Sequence, residues 1–243
     1  MTVSKKDVNS WENEYKHLKW GGLAELAWIQ TRLKEKSFLL DAGSGEGRYL
    51  REFCFKFTCI GIDISKNALS RSIKSIGTAA EKKAVHDFPM PDHIVSNTAK
   101  LPFADETFDD ILCLGVMQHF ILEDREKTAA EFYRVLKKGG LLFFEVFGEE
   151  DMRVFGKPAV LENGKNEPRT FERGNGILYH YFEENEIRDL FKTAGFQILE
   201  FKTVKKEKRY DGRIYTRHHY RAVLEKIEFF GFFRTEKDQK DSE

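Results

Sequence analysis

Cysteine is scarce in this chain: three in 243 residues, Cys54, Cys59 and Cys113, with no C-x-x-C pair among them. That spacing offers no paired thiols. The three read as small buried hydrophobes in a reducing cytosol, and no metal site is expected. An excess of one charge is also missing. Lys+Arg and Asp+Glu both number 40, so no global charge draws the chain to nucleic acid, and any such attraction has to be a local patch. Long hydrophobic runs are absent too, so no segment is expected to span a bilayer. Met1 to Ser10 is polar and lacks the apolar stretch of a signal peptide, which points to a cytoplasmic protein. No internal repeat is found. What the chain does have is 41% hydrophobic and 14% aromatic residues, enough for one sizeable core at this length.

The richest stretch is Leu39-Leu40-Asp41-Ala42-Gly43-Ser44-Gly45-Glu46-Gly47, a buried strand running into a glycine-rich turn. Glycines at alternate positions let the backbone bend tightly and approach a ligand where a Cβ would clash. Asp41 stands at the strand's end, where ligands bind on open α/β sheets. A second acid, Asp63, closes the next apolar run, Thr58 to Asp63. A dinucleotide fingerprint, G-x-G-x-x-G, would place its third glycine one residue later and receive a pyrophosphate. Asp41 would repel a phosphate but can pair with a cationic amino group, so a nicotinamide dehydrogenase is disfavoured.

Strand and helix then alternate, which argues for a doubly wound α/β fold with a parallel sheet covered on both faces. Ser65 is a helix N-cap, with Ala68, Leu69, Ile73 and Ile76 on the apolar side and Gly77 as the stop. Residues 78–91 read as a loop with room for one helical turn, His93 to Asn97 as a third strand, and Phe108 to Val116 as a central fourth. A helix over 125–137 ends at Lys138-Gly139-Gly140, followed by a fifth strand, Leu141 to Phe147. Residues 148–180 lack periodicity and read as a long functional loop. A helix over 183–194 leads into two strands around Asp211-Gly212, a strong hairpin dipeptide.

The glycine turn resembles motif I of the class I S-adenosylmethionine-dependent methyltransferases. Two further runs carry the same resemblance. Asn97-Thr98-Ala99-Lys100-Leu101-Pro102-Phe103 to Asp109 is similar to the family's D-A-x-x-L-P-F run, with Asn97 in place of Asp. Arg134-Val135-Leu136-Lys137-Lys138-Gly139-Gly140 is similar to R-V-L-K-P-G-G, with Lys138 in place of proline. The resemblance covers roughly residues 35–147 and, loosely, the hairpin. It implies a mostly parallel, seven-stranded, Rossmann-like sheet ending in an antiparallel hairpin, with S-adenosyl-L-methionine as cofactor. It also implies that Asp41, Gly43, Ser44, Gly45 and Gly47 wrap the methionyl part. Asp63 and Ile64 would meet the ribose side, with Asn97, Thr98 and Ala99 beside the adenine and Gly115 and Val116 completing the pocket.

Methyl transfer needs a general base only where the acceptor must lose a proton. His119, leaving the fourth strand, is the candidate base; packing beside the adenine or capping a helix is the other reading. Tyr179 and Tyr181 suit an acceptor-site wall or a hydrophobic staple. Trp11, Tyr15 and Leu18 have helical spacing, and Tyr15 and Trp20 are candidates for a lid over the cofactor or for plain packing on the sheet. Residues 1–35 thus read as an N-terminal helical lid segment and 36–226 as the methyltransferase domain, with 148–180 as a lid or acceptor-site insertion. Residues 227–243 form an aromatic, then charged, tail. A small-molecule acceptor is expected. RNA is the alternative, through Lys205, Lys206, Lys208, Arg209, Arg213 and Arg217 interleaved with tyrosines on the hairpin, although edge strands also carry lysines to prevent edge pairing. A non-catalytic cofactor-binding subunit is a third reading. Phe229, Phe230, Phe232 and Phe233 offer a contact for a protein partner or a second copy.

Overall fold

The computed structural model describes residues 5–17, 25–85, 88–154, 156–161 and 164–228; Leu18, Trp20 and the tail phenylalanines lie outside the described residues. Helix α1 spans Lys5–His17 and the short α2 Ala27–Gln30. The strand Phe38–Ala42 (β1) leads through the glycine turn into α3 (Leu50–Phe53). There follow β2 (Thr58–Asp63), α4 (Lys66–Lys83), β3 (Asp92–Val95), β4 (Phe108–Leu114), α5 (Leu122–Val135) and β5 (Leu136–Phe147). Three short strands come next, β6 (Lys157–Val160), β7 (Asn166–Glu172) and β8 (Leu178–His180), then α6 (Glu184–Thr193), β9 (Phe196–Tyr210) and β10 (Arg213–Lys226).

Seven strands form one sheet in the order β3-β2-β1-β4-β5-β10-β9. The first five are parallel, and β10 and β9 add antiparallel. This is the expected mostly parallel sheet closed by a hairpin. Alternate residues of each central strand face opposite ways. Leu40, Leu142, Phe144 and Val146 pack with Phe132 and Val135 of α5 and Ile187 and Phe191 of α6. Leu39, Leu112, Phe143 and Val223 pack with Ile29 of α2, Phe53 of α3 and Ile76 of α4. Both faces are therefore covered, which is why the strands read as near-continuous apolar runs.

The structure corrects three expectations. Helix α4 does not stop at Gly77 but runs on to Lys83, over residues expected as loop, and ends on Ala84 in the left-handed region at φ 52°. Ile76 and Ala80 bury its face, and that burial outweighs one interior glycine, which costs about 1 kcal/mol. Ile73, expected on that face, is 47% exposed. Helix α5 stops at Val135, before Lys138-Gly139-Gly140, because Leu136 already pairs with Phe108 in the sheet. Gly140 lies within β5, where a Cβ would meet the Asp109 carbonyl at 2.5 Å. Finally, 148–180 is not a structureless loop: β6, β7 and β8 form a separate antiparallel sheet. Its period is hidden because the inward residues of β7, Glu167 and Thr170, are polar.

Candidate active site

The chain leaves β1 toward β2 on one side, while β4 joins on the other, so the sheet has its switch point at the end of β1. A cavity opens there, above the carboxyl ends of the parallel strands, where such sheets bind ligands. Gly43, Asp63, Ile64, Asn97, Thr98, Gly115 and Val116 form its floor. Its roof comes from three separate segments: Asp7, Ser10, Trp11 and Tyr15 of α1; His119, Phe120, Ile121 and Asp124 around the start of α5; and Gly176, Ile177 and Leu178 leading into β8. Ser10, Phe120, Ile121 and the Gly176–Leu178 segment had no motif to mark them.

Gly43, Gly45 and Gly47 all have positive φ, at 76°, 54° and 74°. The space beside them is held by protein. A Cβ on Gly43 would meet Val116 at 2.5 Å, one on Gly45 the Tyr15 hydroxyl at 2.6 Å, and one on Gly47 would run into the Ser72 hydroxyl of α4. Gly45 and Gly47 thus seat α1 and α4 on the turn, a packing duty beyond ligand approach. The Gly45 N–H donates to Asp63 Oδ2 at 3.0 Å, and the Ser65 N–H donates to Oδ1 at 2.9 Å. Burial raises Asp63 to about 6 despite these bonds. Asp41 is 2% exposed and its Oδ2 has no hydrogen-bond partner among the described residues; Ser44 Oγ is likewise unpartnered. Burial first, and the charge of Asp63 second, push Asp41 up to about 7. Asn97, which lines the cavity, accepts the Ala99 N–H on Oδ1 at 3.0 Å, and this leaves its amide NH2 as a donor.

Helix α1 is held over the site by Glu12, whose carboxylate accepts the Lys66 and Asn67 N–H groups at 2.7 and 3.2 Å. Ser65 caps α4, whose first N–H groups these are, accepting the Ala68 N–H at 3.1 Å. An acid at a helix N-terminus is favoured by both its free N–H groups and the dipole. Tyr15 thereby stands against the glycine turn, and burial, with Asp63 nearby, raises its hydroxyl well above the usual tyrosine range. His119 stands edge-on to Trp11 and to Tyr179, both at 4.8 Å between ring centres. Its Nδ1 lies 2.8 Å from the Leu178 carbonyl, which can only accept, so Nδ1 carries the proton and Nε2 is the bare nitrogen. Burial lowers His119 to about 4.

Tyr179 stands one layer behind His119. Tyr181 does not reach the cavity wall: its hydroxyl bonds the Arg153 carbonyl and the Arg173 guanidinium, and its ring stacks on Phe147 at 6.1 Å. Of the basic hairpin residues, Lys205 pairs with Glu150 at 2.7 Å, Lys206 with Glu25 and Arg217 with Asp151 at 3.1 Å. Lys208, Arg209 and Arg213 are exposed near the turn, beside the Tyr210–Tyr215 ring pair at 6.1 Å. Glu149, Glu150 and His218 bring ligand-type atoms within 4.8 Å of one another. Glu149 accepts the Tyr220 hydroxyl, Glu150 holds Lys205, and His218 Nδ1 accepts the Glu150 N–H, so protein groups already engage all three. No described helix is long and apolar enough to cross a membrane.

Residues 40–144 match the family model described as a methyltransferase domain. An uncharacterised protein of Methanocaldococcus jannaschii is 25% identical over 80% of this chain and 74% of its own length. A tRNA N(3)-cytidine methyltransferase of Danio rerio is 25% identical over 61% of this chain and 38% of its own. The chain thus spans well under half of that relative's length. Among solved structures, a SAM-dependent methyltransferase of Methanosarcina mazei superposes with TM-score 0.62 at 23% identity, over 83% of this chain and 97% of that one. The 1,6-didemethyltoxoflavin-N1-methyltransferase of Burkholderia thailandensis, with S-adenosylhomocysteine bound, gives 0.59 at 17%, over 91% and 80%. At these identities the structural likenesses speak to the fold.

Proposed function

We propose, on the match of residues 40–144 to a methyltransferase domain, that the chain is a class I S-adenosylmethionine-dependent methyltransferase and that it methylates a small molecule held under α1 and the Gly176–Leu178 segment. One observation carries the reading: three segments distant in sequence meet as a roof over the cavity, in which aromatic and apolar side chains are joined by the polar Asp7, Ser10 and Asp124, an arrangement suited to enclosing and orienting a small acceptor. The pairing of Lys205, Lys206 and Arg217 with acids supports it, because these charges are already neutralised.

The residues at the end of β1 fit the cofactor. A buried carboxylate oxygen and a buried hydroxyl, on Asp41 and Ser44, lack partners among the described residues; both lie behind the cavity lining at the glycine turn, and a cationic amino group reaching that turn would satisfy them. When bound, S-adenosyl-L-methionine would supply an electrophilic methyl carbon on a sulfonium: an acceptor lone pair bonds to that carbon as the carbon–sulfur bond breaks, and S-adenosylhomocysteine leaves as a neutral thioether. Asp41 would hold the ammonium, Asp63 the ribose hydroxyls, and the free amide hydrogens of Asn97 an acceptor nitrogen of the adenine. Ile64 and Val116 would flank the ring. The roof excludes water and holds the acceptor in place, and positioning of this kind can supply much of the acceleration. His119 at about 4 is too weak a base to take a proton from an alcohol or an ammonium near neutral pH. Its bare Nε2 instead accepts a hydrogen bond that orients an acceptor N–H or O–H. The acceptor then attacks through a lone pair it already has, as a neutral amine, ring nitrogen or thiolate does.

A second reading, RNA as acceptor, is favoured by the exposed Lys208, Arg209 and Arg213 beside Tyr210 and Tyr215, and by relatives named as tRNA methyltransferases. One experiment separates the two. Labelled cofactor is incubated with the protein and either a cell metabolite extract or pooled tRNA, and the labelled product is identified. Label in a small molecule is expected; label confined to tRNA would replace the first reading by the second.

A further inference from the structure

We propose that Arg125 and His180 are positioning residues: a buried ring of charged groups running through them fixes where His119 and Phe120 stand in the cavity wall, an inference that rests on His119 belonging to the site proposed above. Arg125, in the first turn of α5, is 2% exposed. Its Nη1 donates to the Phe120 carbonyl at 2.7 Å. Its Nη2 reaches Glu167 of β7 at 2.8 Å and Glu186 of α6 at 3.1 Å. His180 Nε2 stands 2.9 Å from Glu186, and Nδ1 stands 2.7 Å from the Thr170 hydroxyl, itself 2.9 Å from Glu167. The second oxygen of Glu167 accepts the Leu122 N–H at 3.0 Å, tying β7 to the start of α5.

The ring closes through the backbone. His180 belongs to β8, and two residues earlier the Leu178 carbonyl of the same strand holds His119 Nδ1. Phe120, held by Arg125, follows His119 directly. The chain of contacts therefore leaves the cavity wall at Phe120, passes Arg125, the two glutamates and His180, and returns along β8 to His119. A buried ion-pair network adds little net stability over an apolar core of the same volume. Its directional bonds do fix geometry, and both ends of this network meet the cavity. Burial lowers His180; in the neutral ring Nε2–H donates to the Glu186 carboxylate, and Nδ1 competes with Glu167 Oε1 for the single hydroxyl hydrogen of Thr170. A glutamine can make the same two bonds, through its amide N–H and its carbonyl oxygen. Lysine cannot replace the fork of Arg125, which serves three acceptors at once.

The test reads His119 itself and needs no acceptor. Long-range nitrogen–proton NMR at neutral pH reports which ring nitrogen holds the proton. In the parent chain His119 is the Nδ1–H form. In His180→Leu the ring is broken, and the signal shifts to a mixture containing the Nε2–H form. In His180→Gln the parent spectrum returns. Arg125→Lys behaves like His180→Leu. Calorimetric binding of S-adenosylhomocysteine stays within about threefold of the parent in each folded variant, because the glycine turn is untouched. An unchanged His119 in folded His180→Leu overturns the inference, as does a His180→Gln variant that shifts like His180→Leu. Where Arg125→Lys fails to fold, the two His180 variants decide alone. Methyl transfer to tRNA only would remove the small-acceptor reading, and the NMR outcome for the ring would stand independently.

Discussion

At Asp41 the cost of burial and the demand of a cationic ligand pull in opposite directions. Its folded value of about 7 lies above the unfolded value near 3.8. The folded chain therefore binds a proton that the unfolded chain does not, between those two values. The cost of the buried charge is felt above about pH 7 and relieved as pH falls toward 4. Asp41→Asn should accordingly melt higher than the parent at alkaline pH, with the difference shrinking as pH falls through about 7. The same variant should bind S-adenosylmethionine at least about tenfold more weakly, having lost a charge-assisted bond of about 1.5–3 kcal/mol. Thermal melts across pH and calorimetric titration check both; equal melting differences at all pH values would contradict the assignment. His119 shifts the other way. Being neutral down to about 4, it should add no histidine-type fall near pH 6.5 when the cofactor is saturating and its charge holds Asp41 ionised, and its own protonation should tell only as pH nears 4. Asp41, Asp63 and the glycines are legible as a site because strand, turn and acid recur at fixed spacing. Ser10, Phe120 and Ile177 are not, since each reaches the cavity from a segment whose own sequence carries no motif. The sequence neighbours of Tyr181 point it to the wall, but the period of two in β8 and its flank turns it away from the cavity, onto Phe147.

Among the elements, α4 and α1 make separate predictions. Gly77 lies inside α4 with nothing within 4 Å of where a Cβ would stand. Gly77→Ala should stabilise the protein by about 0.5–1 kcal/mol, read from the urea midpoint, by lowering unfolded-chain entropy without a clash. Glu12→Ala should cost about 1 kcal/mol of the docking of α1 on α4. Amide exchange in α1 should then quicken while that in β1 and β4 is unchanged; equal protection in both chains would show that α1 is held by other contacts. The hairpin β9–β10 can be read to the residue because Asp211-Gly212 punctuates two long strand-like runs. The boundaries of α4 and α5 cannot, since tertiary burial carries one helix through a glycine and sheet pairing cuts the other short of two. The small sheet β6–β8 is hidden because the buried groups of its middle strand, Glu167 and Thr170, are the charged and hydroxyl side chains of the ring around Arg125.

For the molecule as a whole, basic and acidic residues are equal in number, and many of the described ones meet as local pairs, such as Arg221 with Glu145 and Glu25, and Lys205 with Glu150. Charge reversal of Lys208, Arg209 and Arg213 leaves the paired lysines alone and tests long-range attraction. If RNA is the acceptor, the affinity for pooled tRNA should fall together with its salt slope, by about 0.7 units per lost contact on a single strand. With a small acceptor, turnover should stay near that of the parent, because charges beyond about 10 Å are screened at 0.1 M salt.

The sheet order also bears on how the chain is made. Strand β10 lies between β5 and β9, so a strand synthesised after residue 212 occupies an interior place in the sheet. Until it emerges from the ribosome, β5 presents an open edge bearing Phe143, Phe144 and Val146 to its surroundings. That interval is a window for wrong pairing between nascent chains. A pause in translation before β10 should therefore lower the yield of native protein more than an equal pause placed after Lys226.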